Sequence, residues 1–253
     1  MIFDLQKASL SKRISAFLFD FILLCIVAVG LATLLSVIVG YDAKLDLLES
    51  KYSEYEEFYG IDTDISTEDY DALSEAEKQK YADASNAIAE DEEMNTLYGI
   101  LLNLTLITVS FAILLAYVIT EVVVPLFFKN GQTLGKKIFG IALMRTDGVA
   151  VSSFQVFVRA IIGKYTVETM IPVFMLMLMF FGAVGTVGFL IIALLLLLQL
   201  IVMIVTRSNS MIHDLFAVTV AVDMSSQMIF KNSEEMLEYK KALAEKKARE
   251  QAY

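Results

Sequence analysis

Hydrophobic positions in this chain fall into long unbroken runs rather than a periodic pattern. Residues 14–39, 98–128 and 170–206 each match or exceed the ~20 apolar residues that cross a bilayer as a helix. The first two runs predict one span each, over 14–39 and 98–128. The third run has 37 residues. As one helix it would be roughly 55 Å long, well beyond a hydrocarbon core of ~30 Å. Two spans, 170–184 and 187–206, fit better, with the reversal in GAVGTVG, Gly182 to Gly188. Three glycines in that stretch suit a tight turn, and they equally suit a close packing face within a helix. The turn is the preferred reading.

The segments between the runs carry their own patterns. Leu45, Leu48, Tyr52, Tyr55 and Tyr59 recur at helical spacing, and Gly60 ends the series. Ser74 followed by Glu77 has the form of a capping box opening a second helix towards Met94. Residues 41–97 therefore read as a helical hairpin. After the second run, Lys137 to Arg145 has strand character, Asp147-Gly148 is a turn signal, and Val149 to Val151 begins a return strand. Ser152 or Ser153 then caps a helix with Phe154, Phe157, Val158, Ile161 and Ile162 on one face and Gln155 and Arg159 on the other. That pattern predicts an interfacial helix lying under the bilayer. A second alternating stretch, residues 217–223, is a partner for the hairpin, and a charged helix starts at Ser233.

Composition agrees: 57% of the residues are hydrophobic, above the average of soluble domains. The net charge of −10 is unevenly spread. Residues 41–97 hold 18 acidic and 4 basic side chains, and the remainder holds 12 acidic and 16 basic ones. Lys7, Lys12 and Arg13 precede the first span. Lys129, Lys136, Lys137, Arg145, Arg159 and Lys164 follow the second, and more lysines follow the last. Basic segments stay in the cytoplasm, so the expected topology has both termini inside and the acidic hairpin outside. The first run lacks the small-residue cleavage pattern of a signal peptide and reads as a retained span. Cys25 is the sole cysteine and lies within that run, so no intrachain disulfide is expected. No basic stripe interleaved with aromatics is present, which excludes nucleic acid as a partner.

The stretch NGQTLGKKIFG, residues 130–140, invites a phosphate-loop reading. A phosphate loop needs four residues between its first glycine and Gly-Lys, then a Ser or Thr for magnesium. Here three residues separate Gly131 from Gly135, and Lys137 stands at the hydroxyl position. The expected strand also follows the loop instead of preceding it. Surface turning by Asn130-Gly131, with Lys136 and Lys137 against anionic headgroups, accounts for the same residues.

GQTLGKKIFGIALMRTDG, the arginine in FQVFVRAI, RISAFLFD near the N-terminus and IHDLFAVTVAVD after the last span together resemble the RDD family of small bacterial membrane proteins. That resemblance covers roughly residues 8–40 and 98–223. It implies that the family's arginine and two aspartates correspond to Arg13, Asp20 and Asp214. It further implies a bacterial cytoplasmic-membrane location and, as the activity most often attached to the family, transport. Residues 41–97 read as an insertion into the family pattern. The expected organisation is thus a membrane domain of residues 1–40 and 98–223, the acidic insertion 41–97, and a charged tail over 224–253. The fold class is all-α polytopic, with four spans and a small cytoplasmic β-hairpin.

Charges within spans are functional candidates by default, because burying them in hydrocarbon is costly. Asp20 lies too deep to reach the interface easily, and Glu121 sits at a similar depth in the second span. Two carboxylates there can share a proton or hold a cation, and Pro125 would loosen the helix beside Glu121. The competing account is structural: Arg13 or Arg159 neutralises Asp20 and fixes helix packing. His213, the sole histidine, is either a proton relay or an interfacial hydrogen-bonder, and Asp214 caps a helix or meets a basic partner.

No zinc spacing or nucleophile motif points to an enzyme, and no cofactor or metal is expected. Two functional classes remain. One is a cation- or proton-coupled transporter, homo-oligomeric because four helices make a thin wall. The other is a membrane assembly or sensing subunit that binds partners through the acidic segment and the charged tail.

Overall fold

The computed structural model describes residues 5–128, 130–180 and 182–251; Lys129, one of the charges used above for topology, lies outside them. Among the described residues, four helices are long and apolar enough to cross a membrane. They are α1 (Leu10–Ile38), α5 (Glu92–Phe128), α7 (Ser153–Phe180) and α8 (Gly185–Val205). The most apolar stretch of α1 is wholly unburied within the chain, and Phe17, Ile22, Ile26 and Val29 all point outward. Such a surface suits hydrocarbon and not water.

The third span is longer than its apolar run. The sequence predicts a span over 170–184 with a separate interfacial helix before it, but α7 is a single helical run that starts at Ser153, where Ser152 and Gln155 form a capping box. Its first half is turned inside out. Phe154, Phe157 and Ile162 are exposed, whereas Arg159 is buried and Gln155 reaches the Ala217 carbonyl. Amphipathicity alone does not say which face meets lipid, so the polar face was legible and its direction was not. The GAVGTVG reversal is shared between both readings: Gly182 takes a left-handed turn conformation, while Gly188, inside α8, lies where a Cβ would meet the Met179 sulfur at 2.5 Å.

Both prolines of the chain, Pro125 and Pro172, stand two residues beyond a π-helical stretch, Val118–Val123 in α5 and Val158–Met170 in α7. A proline lacks the N–H for the carbonyl four residues back and clashes with it. Widening the preceding turn absorbs that clash, and π-turns are frequent at functional sites.

A two-stranded antiparallel sheet joins β1 (Ile141–Arg145) to β2 (Thr219–Asp223), pairing Ile141 with Asp223 and Arg145 with Thr219. The expected hairpin is thus mostly replaced by its alternative partner. Gly148 makes the turn, but among the described residues the return segment meets β1 in a single bridge, Met144 to Ala150, and Val149 bridges Phe230 instead. Residues 137–140 are not strand: Leu134–Ile138 forms the short helix α6, because Thr133 caps it by accepting the Lys136 amide. One sheet face, with Ile141, Leu143 and Ala221, packs on Ala8 and Ala16. The other, with Ala142, Met144, Val220 and Val222, meets Leu5 and Ile229. Burial on both faces suits the composition of the two strands, in which only Arg145, Thr219 and Asp223 are polar. Between α8 and β2 lies α9 (Ile212–Ala217), and α10 (Ser233–Gln251) ends the described chain.

Two compact units result. One holds the chain up to Ala28 and from Ile113 onward; the other is Val29–Ala112. Within the second, α2 (Tyr41–Tyr59), α3 (Thr67–Ala72) and α4 (Glu75–Glu90) form the acidic segment. The expected capping box at Ser74 and Glu77 is present, and Gly60 ends α2 in the left-handed conformation.

Candidate functional site: a buried charge network

Asp20 projects from α1 onto the loop that resembled a phosphate site. Its Oδ2 accepts from the Thr133 hydroxyl at 2.5 Å and its Oδ1 from the Gly135 amide at 2.8 Å. Lys136 Nζ stands 3.8 Å from Oδ2 and donates to Thr133 Oγ1 at 3.1 Å. The glycine-rich loop therefore does cradle an anion, and that anion is the chain's own carboxylate. Gly135 is required for the approach, since a Cβ there would lie 2.5 Å from the Ala16 carbonyl. Lys136 is the correction to the headgroup reading. It is only 8% exposed, because the α6 turn aims it inward, while Lys137 faces outward with its ammonium 3.8 Å from the Phe128 ring centroid. Burial, followed by the nearby Lys164 charge, pulls the Lys136 ammonium down to about 7 against the opposing pull of Glu121 and Asp20.

Glu121 lies in the π-helical stretch of α5, buried, and takes Lys164 of α7 as its partner. Asp20 and Glu121 thus take different lysines as their ion-pair partners, Lys136 and Lys164. Arg13 does not neutralise Asp20. Its guanidinium donates to the Asn209 carbonyl at 2.7 Å and lies 3.6 Å from Asp214.

Asp214 is the hub of the second cluster. Arg159 Nε donates to its Oδ1 at 2.9 Å, and its Oδ2 accepts from the Met211 amide, capping α9. Burial alone would raise the Asp214 carboxyl, but the Arg159 guanidinium, joined by that of Arg13, outweighs it and holds it well below the usual range. Arg159 Nη2 also lies 2.8 Å from His213 Nε2, and His213 Nδ1 lies 2.7 Å from Glu168 Oε2. A neutral imidazole satisfies both contacts, with Nδ1–H donating to Glu168 and Nε2 accepting from Arg159. Burial and the Arg159 charge lower the His213 value, which favours that neutral form. Close packing of α9 on α7 depends on Gly163, where a Cβ would meet His213 Cβ at 2.5 Å.

Lys164, Glu168 and Thr133 are the members that sequence reading missed. Nine positions along an α-helix turn roughly 180°, so Arg159 and Glu168 belong on opposite faces of an ordinary helix. Where each bond spans five residues, about 4.4 residues complete a turn and the same nine positions return to within about 20°. The π-helical winding of Val158–Met170 therefore brings Arg159, Lys164 and Glu168 to one side. The only signal in the sequence was the proline two residues beyond.

Arg13, Lys136, Arg159 and Lys164 face Asp20, Glu121, Glu168 and Asp214, so the charges balance with His213 neutral. The network gathers the start of α1, the end of α5, the start of α7 and, through Gln199 Oε1 accepting from the Ile212 amide, the end of α8. Among the described residues no group of three or more His, Cys, Asp or Glu side chains is arranged to hold a metal ion.

Among the described residues, four helices long and apolar enough to cross a bilayer, with many large apolar side chains exposed, define an integral membrane protein. The chain belongs to the RDD family, whose model matches residues 7–218, most of its length. Comparison with curated proteins and with solved structures gives no significant match. Arg13 and Asp214, two of the three residues assigned above to the family's name, meet in the second cluster, and Asp20 anchors the first.

Proposed function

We propose that the protein exchanges protons for a monovalent cation across the cytoplasmic membrane, with both termini and the charge network on the cytoplasmic side. The observation that carries this reading is the Asp20–Lys136 pair, buried and joined through Thr133. A lysine whose ammonium titrates at about 7 can give up its proton under physiological conditions. The proton leaves Nζ, Asp20 loses its counter-charge, and a small cation takes that place with unchanged net charge. Return of the proton to Lys136 expels the cation. Glu121, Arg159 and Asp214 hold the surrounding field, and no cofactor or enzymatic step enters. Homo-oligomers would supply the wall that four helices lack.

The test is sodium, lithium and potassium exchange against an imposed proton gradient in proteoliposomes. Asp20→Asn removes exchange, and Lys136→Gln uncouples cation movement from the proton gradient, while both variants keep a cooperative melt in detergent. Exchange that persists unaltered in both folded variants sinks the proposal.

A second reading, a non-transport assembly or sensing subunit, is favoured by the pairing of every carboxylate in the network. In that case the same variants lower stability or assembly, and the wild type moves no ion above empty liposomes.

A further inference from the structure

Outside the membrane domain, the acidic segment carries an aromatic cleft that the exchange reading leaves without a role. It lies at the C-terminal end of α2 and is an open depression of ≈ 280 Å³ lined by Lys51, Glu54, Tyr55, Phe58, Tyr59 and Asp91. We propose that this cleft binds a small organic ammonium ion, of the alkylated, weakly hydrated kind.

Three rings build its wall. Tyr55 and Tyr59 stack with planes 9° apart, and Phe58 meets Tyr59 edge-on at 4.9 Å between centroids. Phe58 is 81% exposed on α2, a helix rich in carboxylates, and its ring packs on Tyr59. Tyr55 is pinned, because its hydroxyl donates to Asp91 Oδ2 at 2.8 Å. Lys51, the one cation in the lining, is neutralised by Glu93 at 2.8 Å.

The electrostatics select a cation. Carboxylates dominate residues 41–97 by 18 to 4 over basic side chains, and the C-terminal end of a helix adds partial negative charge. The ligand set then decides which cation. A small hard ion needs several free oxygens. Here Asp91 already accepts from Tyr55 and from the Glu93 and Met94 amides. Ring faces instead attract cations with little hydration to lose, as quaternary ammonium groups have.

The experiment is calorimetric titration of the full chain in nanodiscs with choline chloride at constant ionic strength. Its neutral isostere 3,3-dimethyl-1-butanol and sodium chloride serve as controls. Choline is expected to bind saturably and the isostere not at all. Phe58→Ala should weaken choline about fivefold, and Phe58→Ala with Tyr59→Leu should remove binding. Phe58 is exposed and Tyr59 half-buried, so a retained melt is measured alongside to show the fold intact. Equal binding of the isostere overturns the proposal. So does choline binding that is unchanged in the double variant, which would mark a diffuse acidic field.

Discussion

Arg159 Nε and Asp214 Oδ1 lie 2.9 Å apart with both side chains almost fully buried, joining the third membrane helix to the segment that follows the fourth. A buried pair of this kind adds little net stability over an apolar pair, but losing one partner strands the other. Asp214→Asn leaves Arg159 and Arg13 without the carboxylate that both of them face. The expected cost is about 3–5 kcal/mol. Chemical denaturation in detergent should show it, and an unchanged midpoint would contradict the geometry. Arg159→Lys should not rescue the site, because one ammonium cannot reach both Asp214 and His213 as the guanidinium does.

Gly163 is predicted to resist even alanine. A methyl group there would overlap His213 Cβ at 2.5 Å and its Cα at 2.6 Å, and the backbone has no slack to yield. Overpacking of this order costs about 1–3 kcal/mol. The same variant should loosen the His213–Glu168 contact. An imidazole resonance identical in wild type and Gly163→Ala would argue against close packing of α9 on α7.

Lys136 sets a pH window. Its folded-state value is about 7 against an ordinary 10.5, so between those limits the unfolded chain keeps a proton that the folded chain has released. Stability therefore rises with pH across that window, and the full burial penalty applies below its lower edge. Lys136→Met should flatten this slope in thermal melts. A wild-type profile already flat from neutrality upward would refute the shift.

Val218 ends α9 in the left-handed region at φ 55°, although its branched side chain is exposed and disfavours that conformation. The amide of Thr146 takes the Val218 carbonyl, which holds the turn in place. Val218→Gly should stabilise the protein by about 1 kcal/mol, the approximate cost of a left-handed L-residue. A lower melting temperature in that variant would mean the side chain makes a contact that outweighs the strain.

The sequence by itself determined the membrane class and the four long apolar helices, because hydrocarbon tolerates only long apolar runs and excludes charge in ways that single residues report. It also supplied most members of the site, since Arg13, Asp20, Glu121, Arg159, His213 and Asp214 are conspicuous in or beside apolar runs. Only the tertiary structure decided who meets whom. Arg13 passes over Asp20, seven residues away on its own helix, for Asp214 some two hundred residues later, and Asp20 closes on a loop that looked built for phosphate. Lys136 turned inward and Glu168 joined the network because a one-turn helix and a π-helical winding changed the direction of their side chains. Charge in a membrane is a local property that each residue announces. Pairing depends on the angle at which helices present their faces, and two prolines alter that angle without changing the hydrophobic pattern.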